Sequence, residues 1–377
     1  MRFVMTALQD IQMLRALCLA VHRGDATLQD ELRSLTSSSF IGAPGSPLKS
    51  LGIEDLGSFQ GVVRILSDAE MLARCQRDIE VWAERGIGGV CWFEPEYPEL
   101  LRHIYAPPVY LTVRGTCPAS LNSLPCISIV GARNCDRGGI DTARAIAASL
   151  AQIGVVVVSG LAAGVDTAAH QGALLRQSVC PTIAVIGSGL DALYPRSNER
   201  LAQEIVAQNG LVVSQFEPEV PPYPANFLNR NRIIAGISRA VVVVQARDRS
   251  GSLVTARYAN EEGRDVFAVP GDVRDGRYNG TNALIRQGAT LVRSGRDVID
   301  AYPDLAARLP EDPKSIPTAF LREVQKQIVD LVGKDRGITV AQLSDRLGTP
   351  AKFQENLLEL ELNGIVRRAP GDRLEMV

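Results

Sequence analysis

Apolar residues recur along the chain with two different periods, and the change between them outlines the molecule. Leu8, Ile11, Leu14, Leu17 and Val21 stand at helical spacing, and Leu28, Leu32 and Leu35 continue it beyond Gly24-Asp25. A Ser-, Gly- and Pro-rich stretch runs from Thr36 to Ser50. The segment Leu51-Gly52-Ile53-Glu54-Asp55-Leu56-Gly57 follows, with the cadence either of a helix-turn-helix step that grips a DNA backbone or of a plain helical accessory domain. Another helix is predicted around Asp68–Arg85. Residues 1–88 are therefore expected to form a helical domain of the helix-hairpin-helix or SAM kind.

From about residue 109 the pattern alternates. Short β-rich runs at Cys126–Val130, Val155–Val158, Thr182–Ile186, Leu211–Val213, Val241–Val244 and Val266–Val269 are apolar on both faces. Helical segments separate them: Gly138–Gln152, Val165–Gln177, Asn198–Gln208, Asn226–Ile237 and Leu253–Glu262. Strands without a polar face, separated by helices, predict a parallel sheet covered on both sides, so residues 89–301 are expected to be a doubly wound, extended Rossmann-like α/β domain. Three prolines mark 302–315 as a linker. Beyond it, helices over Thr318–Val332, Val340–Leu347 and Ala351–Asn363 precede a hairpin turning at Pro370-Gly371-Asp372, which predicts a winged helix over 316–377.

A chain of 377 residues with 46% hydrophobic and 22% charged residues supports two or three folded domains. No apolar run approaches membrane-spanning length, and Asp10 and Arg15 interrupt the start of the chain, so neither a spanning helix nor a secretory signal is expected and the location is read as cytoplasmic. Net charge is −2, so a nucleic-acid partner must be held by local patches. Lysine stands only at 49, 314, 326, 334 and 352; arginine supplies every other basic position, from codon bias or from a need for planar phosphate contacts. Seven cysteines, an odd number without a C-x-x-C pair, predict reduced structural thiols and no metal or disulfide framework.

In an open parallel sheet, ligands bind where strands end and helix N-termini converge. The turns there are Gly131-Ala132-Arg133-Asn134, Ser159-Gly160, Gly187-Ser188-Gly189-Leu190-Asp191, Ser214-Gln215-Phe216, and Gln245-Ala246-Arg247-Asp248-Arg249-Ser250-Gly251-Ser252. Small residues admit a ligand close to the backbone, and the arginines supply charge, which together predict a phosphate-bearing ligand. Gly187–Ala192 also fits G-x-G-x-x-A, but the acidic ribose partner is missing after the next strand. No G-x-S-x-G or Walker A sequence occurs, and Asp166 and His170, four apart beside Ser159, suit helix capping better than a catalytic triad. Phe227-Leu228-Asn229-Arg230-Asn231-Arg232 crowds guanidinium and amide groups beside an aromatic, the combination that stacks bases and clamps phosphates.

These segments, in this order, resemble the DNA-processing protein A family (DprA, also called Smf). The resemblance is carried by 97–115, IVGARNCDRGG at 129–139, VVSGLAAGVDTAAHQGAL at 157–174, TIAVIGSGLDALYP at 182–195, FLNRNRIIAGIS at 227–238, SGSLVTARYA at 250–259, VFAVPG at 266–271 and GTNALIRQGA at 280–289. It implies a protein without catalysis and without a cofactor, one that binds and protects single-stranded DNA in natural transformation and helps load the RecA recombinase. It implies a homodimer formed through the α/β domain. It also implies a DNA pocket of Arg133, Gly187, Ser188, Gly189, Phe227, Arg230, Asn231 and Arg232.

The chain departs from the family at several positions. Gln215 and Gln245 stand where acidic residues are usual, Ala163 where an arginine is, and Pro224 where a basic residue is common. Contacts are accordingly expected to lean on Arg230, Arg232, Arg247 and Arg249, with Ser250 and Gly251 at the helix start beside them. The rival function, a nucleotide N-glycosidase or phosphoribohydrolase, needs a pocket carboxylate that the two glutamines remove. Sequence-specific duplex binding, the reading of a transcription regulator, is opposed by Glu355, Glu359 and Glu361 on the third C-terminal helix. Arg367, Arg368 and Arg373 in the hairpin suit a weak duplex grip or a protein contact.

Overall fold

The computed structural model describes residues 2–24, 26–34, 60–118, 121–176, 178–309, 323–335, 337–348, 353–362, 365–369 and 371–376. The stretch Thr36–Ser50, the segment 51–57 and the expected linker beyond 309 lie outside them. Two compact units are present, Met1–Pro303 and Asp304–Val377.

In the first unit, helices α1 (Arg2–His22), α2 (Ala26–Ser34), α3 (Gln60–Ser67) and α4 (Ala69–Glu84) precede the sheet. Strand β1 (Ile87–Cys91), helix α5 (Glu99–Arg102) and strand β2 (Tyr110–Arg114) come next. Then strand and helix alternate: β3 (Cys126–Val130), α6 (Arg137–Gln152), β4 (Val156–Ser159), α7 (Val165–Ala173), β5 (Thr182–Val185), α8 (Glu199–Ala207), β6 (Leu211–Ser214). The run ends with α9 (Pro224–Ile237), β7 (Ala240–Val243), α10 (Gly251–Glu261), β8 (Asp265–Ala268), α11 (Asn279–Arg286), β9 (Thr290–Leu291) and α12 (Gly295–Asp300).

The sheet has nine strands in the order β1-β2-β6-β5-β4-β3-β7-β8-β9. Seven run parallel: six stand at the apolar runs, and the seventh, the short exposed edge strand β9, was not among them. The edge corrects an all-parallel expectation: β1 and β2 form an antiparallel pair, and β2 lies antiparallel to β6 through Thr112↔Ser214 and Val113↔Val213.

Strand residues alternate between two cores, as the pleat requires. Ile183, Val185, Val213, Val241 and Val243 face Ile233, Ile234 and Ala256 on one side. Ala184, Ile186 and Val212 face Leu201 and Ile205 on the other, and that cluster continues into Leu17, Leu19, Val21, Leu32, Val62 and Trp82. The helices before residue 88 thus share their core with the sheet. Arg15–Glu94 (2.6 Å) and Arg23–Glu217 (2.7 Å) fasten them further.

The second unit contains α13 (Glu323–Lys334), α14 (Val340–Leu347), α15 (Phe353–Leu362) and an antiparallel hairpin of β10 (Val366–Ala369) and β11 (Arg373–Met376). Thr339 and Gln342 form a reciprocal capping box at the start of α14, and Gly348 ends it in the left-handed region at φ 67°. Ile328, Val332, Leu343, Phe353, Leu357, Leu360, Val366 and Leu374 close this unit's core.

Candidate nucleic-acid interface

From β3 the chain proceeds outward through β4, β5 and β6, then returns through α9 to β7 on the opposite side of β3. The loops after β3 and β7 therefore diverge, and the crevice between them is the ligand position of a doubly wound sheet. A cleft of about 440 Å³ opens there. Gly131–Asn134, Ala162, Phe227, Leu228, Arg230, Asn231, Arg247 and Arg249–Ser252 line it.

Charge is distributed unevenly within the cleft. Arg133, Arg247 and Arg249 stand exposed on its rim. None of the three has a carboxylate within salt-bridge distance among the described residues. The floor is buried: Asn231, Ile234 and Thr255 are inaccessible or nearly so, and Arg230 is 4% exposed. Burial lowers the Arg230 pKa to about 10 although Asp166 opposes the shift. Arg230 lies flat under Gly160, where a Cβ would come within 1.8 Å of Nη1, and it donates to the carbonyl of Val185.

Two helix N-termini reach this edge in different states. That of α6 already holds an anion: Asp136 accepts from the Gly139 amide (2.7 Å), from Gln245 Nε2 (3.0 Å) and from Arg277 Nη1 (3.1 Å). The Gly139 amide, then Gln245 and Arg277, hold that carboxyl below its usual range. At α10 the first residue is Gly251, over which a Cβ would meet nothing within 4 Å, and Ser250 caps the helix by accepting from the Ser252 amide. Asn231 Nδ2 donates to the Gly251 carbonyl (3.2 Å) and ties this end to α9.

An aromatic wall adjoins the charge. Phe227 is half-buried; the Arg133 guanidinium lies 5.3 Å from its ring centroid, and Tyr194 meets it edge-on at 5.7 Å. A smaller hollow of about 70 Å³ continues past them, with Gly160, Ala163, Tyr194 and Pro195 in its wall.

The structure separates the residues that the sequence grouped. Arg133, Phe227, Arg230, Asn231, Arg247, Arg249, Ser250 and Gly251 all line the cleft. Arg232 does not: it turns to the opposite side of α9, where Nη2 donates to Gln215 Oε1 (2.7 Å) and Nη1 to the Ala106 carbonyl. Residues two apart on a helix point in different directions, so Arg230 and Arg232 never shared a site. Gly187, Ser188 and Gly189 are buried behind the wall. A Cβ at Gly187 would lie 2.7 Å from Cδ1 of Phe227, so that glycine makes room for the ring. Gly189 donates its amide to the Val220 carbonyl (2.7 Å) and holds the loop before α9.

The two glutamines read as pocket-edge residues are also elsewhere. Gln215 pairs with Arg232, and Gln245 is wholly buried against Asp136. Ser159, Asp166 and His170 make no triad: Ser159 donates to Ile129, His170 Nδ1 donates to Thr182 Oγ1, whose own hydroxyl is spent on the Val157 carbonyl, and Asp166 accepts from the Gly160 and Ala162 amides. Burial drives the His170 pKa down to about 3. All seven cysteines are free, and burial pushes the Cys126 and Cys180 thiols up to about 12. Sequence reasoning passed over Tyr194. Its signal was present, since it ends the same loop that carries Gly187–Gly189 and stands 46% exposed beside a helix-start aromatic.

An arginine-rimmed, aromatic-walled cleft at the switch point of a doubly wound sheet has the chemistry that suits phosphates and unpaired bases. The particular family is settled by comparison: the profile of DNA recombination-mediator protein A matches residues 89–303, and the chain belongs to that family. DNA processing protein DprA of Streptococcus pneumoniae is 46% identical over 206 residues, 55% of this chain and 71% of that protein. An X-ray structure of DprA from Streptococcus pneumoniae superposes with a TM-score of 0.56 at 34% identity, covering 73% of this chain and 96% of that one. A Helicobacter pylori DNA processing protein A structure, described for its single-stranded DNA binding mode, gives a TM-score of 0.50 at 32% identity over 54% of this chain and 91% of that one.

Proposed function

We propose that this chain binds single-stranded DNA through the cleft, protects it during natural transformation and recombination, and helps load a RecA-type recombinase onto it. The observation that carries the reading is the meeting of three unpaired rim arginines with the Phe227–Tyr194 wall. Guanidinium groups neutralise phosphates, and unpaired bases stack on rings, which duplex DNA keeps inside its helix. The relative from Helicobacter pylori, described as binding single-stranded DNA, supports the same assignment.

The protein acts as a binding module in the cytoplasm and as a homodimer through its α/β domain. Among the described residues lining the cleft, Asp166 is the carboxylate, and its Oδ2 is engaged by two backbone amides rather than presented to a ligand. That arrangement suits a binding floor better than a glycosidase acid. The chain is organised as a helical region over 1–88, the Rossmann-like domain over 89–301, a linker and a winged helix over 316–377. The winged helix contributes a weak duplex or protein contact.

Fluorescence anisotropy with labelled single- and double-stranded oligomers, with and without the cognate recombinase, tests this. Tight single-strand binding and faster recombinase filament growth are expected. Preference for duplex, or base release from nucleoside monophosphates, contradicts it.

A further inference from the structure

The aromatic wall is carried by two loops, and the helices before residue 88 hold both from outside. Tyr194 ends the turn that begins at Gly187, and Phe227 stands in the first turn of α9, after the loop that leaves β6. The Gly189 amide on the Val220 carbonyl (2.7 Å) and the Asp191 amide on the Pro218 carbonyl (2.9 Å) join the loops to each other. Their carboxylates Asp191, Glu217 and Glu219 are each paired by an arginine of the helical region. Arg85, which ends α4, spans the two loops: Nη1 meets Asp191 Oδ2 (2.5 Å) and Nη2 meets Glu219 Oε1 (2.5 Å). Arg23, next after α1, ties Glu217 (2.7 Å) to Asp78 of α4 (2.8 Å). Arg114 of β2 takes the other oxygen of Asp191 (2.9 Å) and the Leu190 carbonyl (3.1 Å).

An isolated exposed ion pair contributes little, but here one planar fork is shared by two chain segments inside a network. Without Arg85, Glu219 loses the partner through which its loop is fastened to Asp191. We infer that Arg85 is a positioning residue for base stacking: by clamping the Tyr194 loop to the loop before Phe227, it holds the two rings at the 5.7 Å edge-on contact that forms the wall. Arg85 thereby gives the helices before residue 88 a part in the DNA site, although the described residues that line the cleft all come later in the chain. This role rests on the single-strand reading above.

A double-mutant cycle on the full chain tests it, with binding of one labelled oligothymidylate read by anisotropy for the parent, Arg85→Ala, Phe227→Ala and the double variant. Arg85→Ala is expected to weaken binding about fivefold in the parent and about twofold or less in the Phe227→Ala background, because it acts through the ring. A general structural or electrostatic effect of Arg85 would instead weaken both backgrounds alike. Glu219→Ala separates position from charge. Removing a carboxylate beside the strand tightens binding by charge alone, whereas loss of the clamp weakens it, and weakening of about threefold is expected. Equal losses in the two backgrounds, parental affinity in Arg85→Ala, or tighter binding in Glu219→Ala overturn the role of Arg85 and leave the single-strand reading standing. A Phe227→Ala variant that binds as tightly as the parent overturns the stacking wall, and the role of Arg85 with it.

Discussion

The arginines of the cleft and those of the C-terminal hairpin are the same residue in opposite electrical states. On the hairpin, Arg367 is bound to Glu375 (2.8 Å), and Arg368 to Glu361 (2.6 Å) and Asp372 (3.3 Å). On the cleft rim, Arg133, Arg247 and Arg249 stand in solvent without such partners among the described residues, and the rim sits above a buried cation and an open helix end. A cation already paired must break that pair before it can hold a phosphate; an unpaired one releases a counterion at no such cost. Counting basic residues therefore says little about where this chain meets DNA. Their pairing says more.

The comparison can be broken at several points, and the largest effect is expected beneath the cleft. Gly160→Ala places a methyl group against the Arg230 guanidinium, which can move away only by giving up its bond to the Val185 carbonyl. Overpacking of this kind costs about 3 kcal/mol of stability, read by denaturant unfolding. Retention of parental stability would show that Arg230 is loosely held and not a fixed floor.

Phe227→Ala should lose about 2 kcal/mol of single-strand affinity, the worth of one stacked base, with the salt dependence unaltered. A changed salt dependence would mean that the ring acts mainly by holding Arg133, whose guanidinium lies over it.

Arg232→Ala sharpens the comparison from within one helix. It should cost about 1–2 kcal/mol of stability by leaving Gln215 and the Ala106 carbonyl without their donor, while the salt slope of DNA binding stays parental. A flattened slope would return Arg232 to the DNA site. The smallest effect is expected from removing residues 310–377: single-strand affinity should stay within about tenfold, or 1.4 kcal/mol, of the full chain by anisotropy. Complete loss of binding would shift the DNA site toward the hairpin.

Much of this was legible in the sequence. The β-rich runs and the helices between them marked six of the seven parallel strands, because a strand buried on both faces has no polar positions to confuse with a helix stripe; the two-residue, exposed β9 has no such run. The Gly- and Arg-bearing turns after β3 and β7 pointed to the sheet edge at which the cleft opens. What stayed hidden was side-chain direction. Arg230, Asn231 and Arg232 are adjacent in sequence, yet helical geometry sends them to the floor of the cleft, to α10 and to the opposite side of α9. The Gly187–Gly189 turn resembles a phosphate cradle because glycine fits both a ligand and a neighbouring ring. Only the 2.7 Å separation between a Cβ at Gly187 and Phe227 distinguishes them. Burial of Arg230 was equally invisible, since arginine is rarely placed inside.

The central claim is that unpaired rim arginines, and not the basic hairpin, hold the strand. The slope of log affinity against log salt tests it most directly, compared among the parent, Arg133→Ala/Arg247→Ala/Arg249→Ala and Arg367→Ala/Arg368→Ala. Each phosphate contact on a single strand contributes about 0.7 to that slope, so the cleft variant should lose about 2 and the hairpin variant close to none. A parental slope in the folded cleft variant, or a loss of that size in the hairpin variant, would contradict the account.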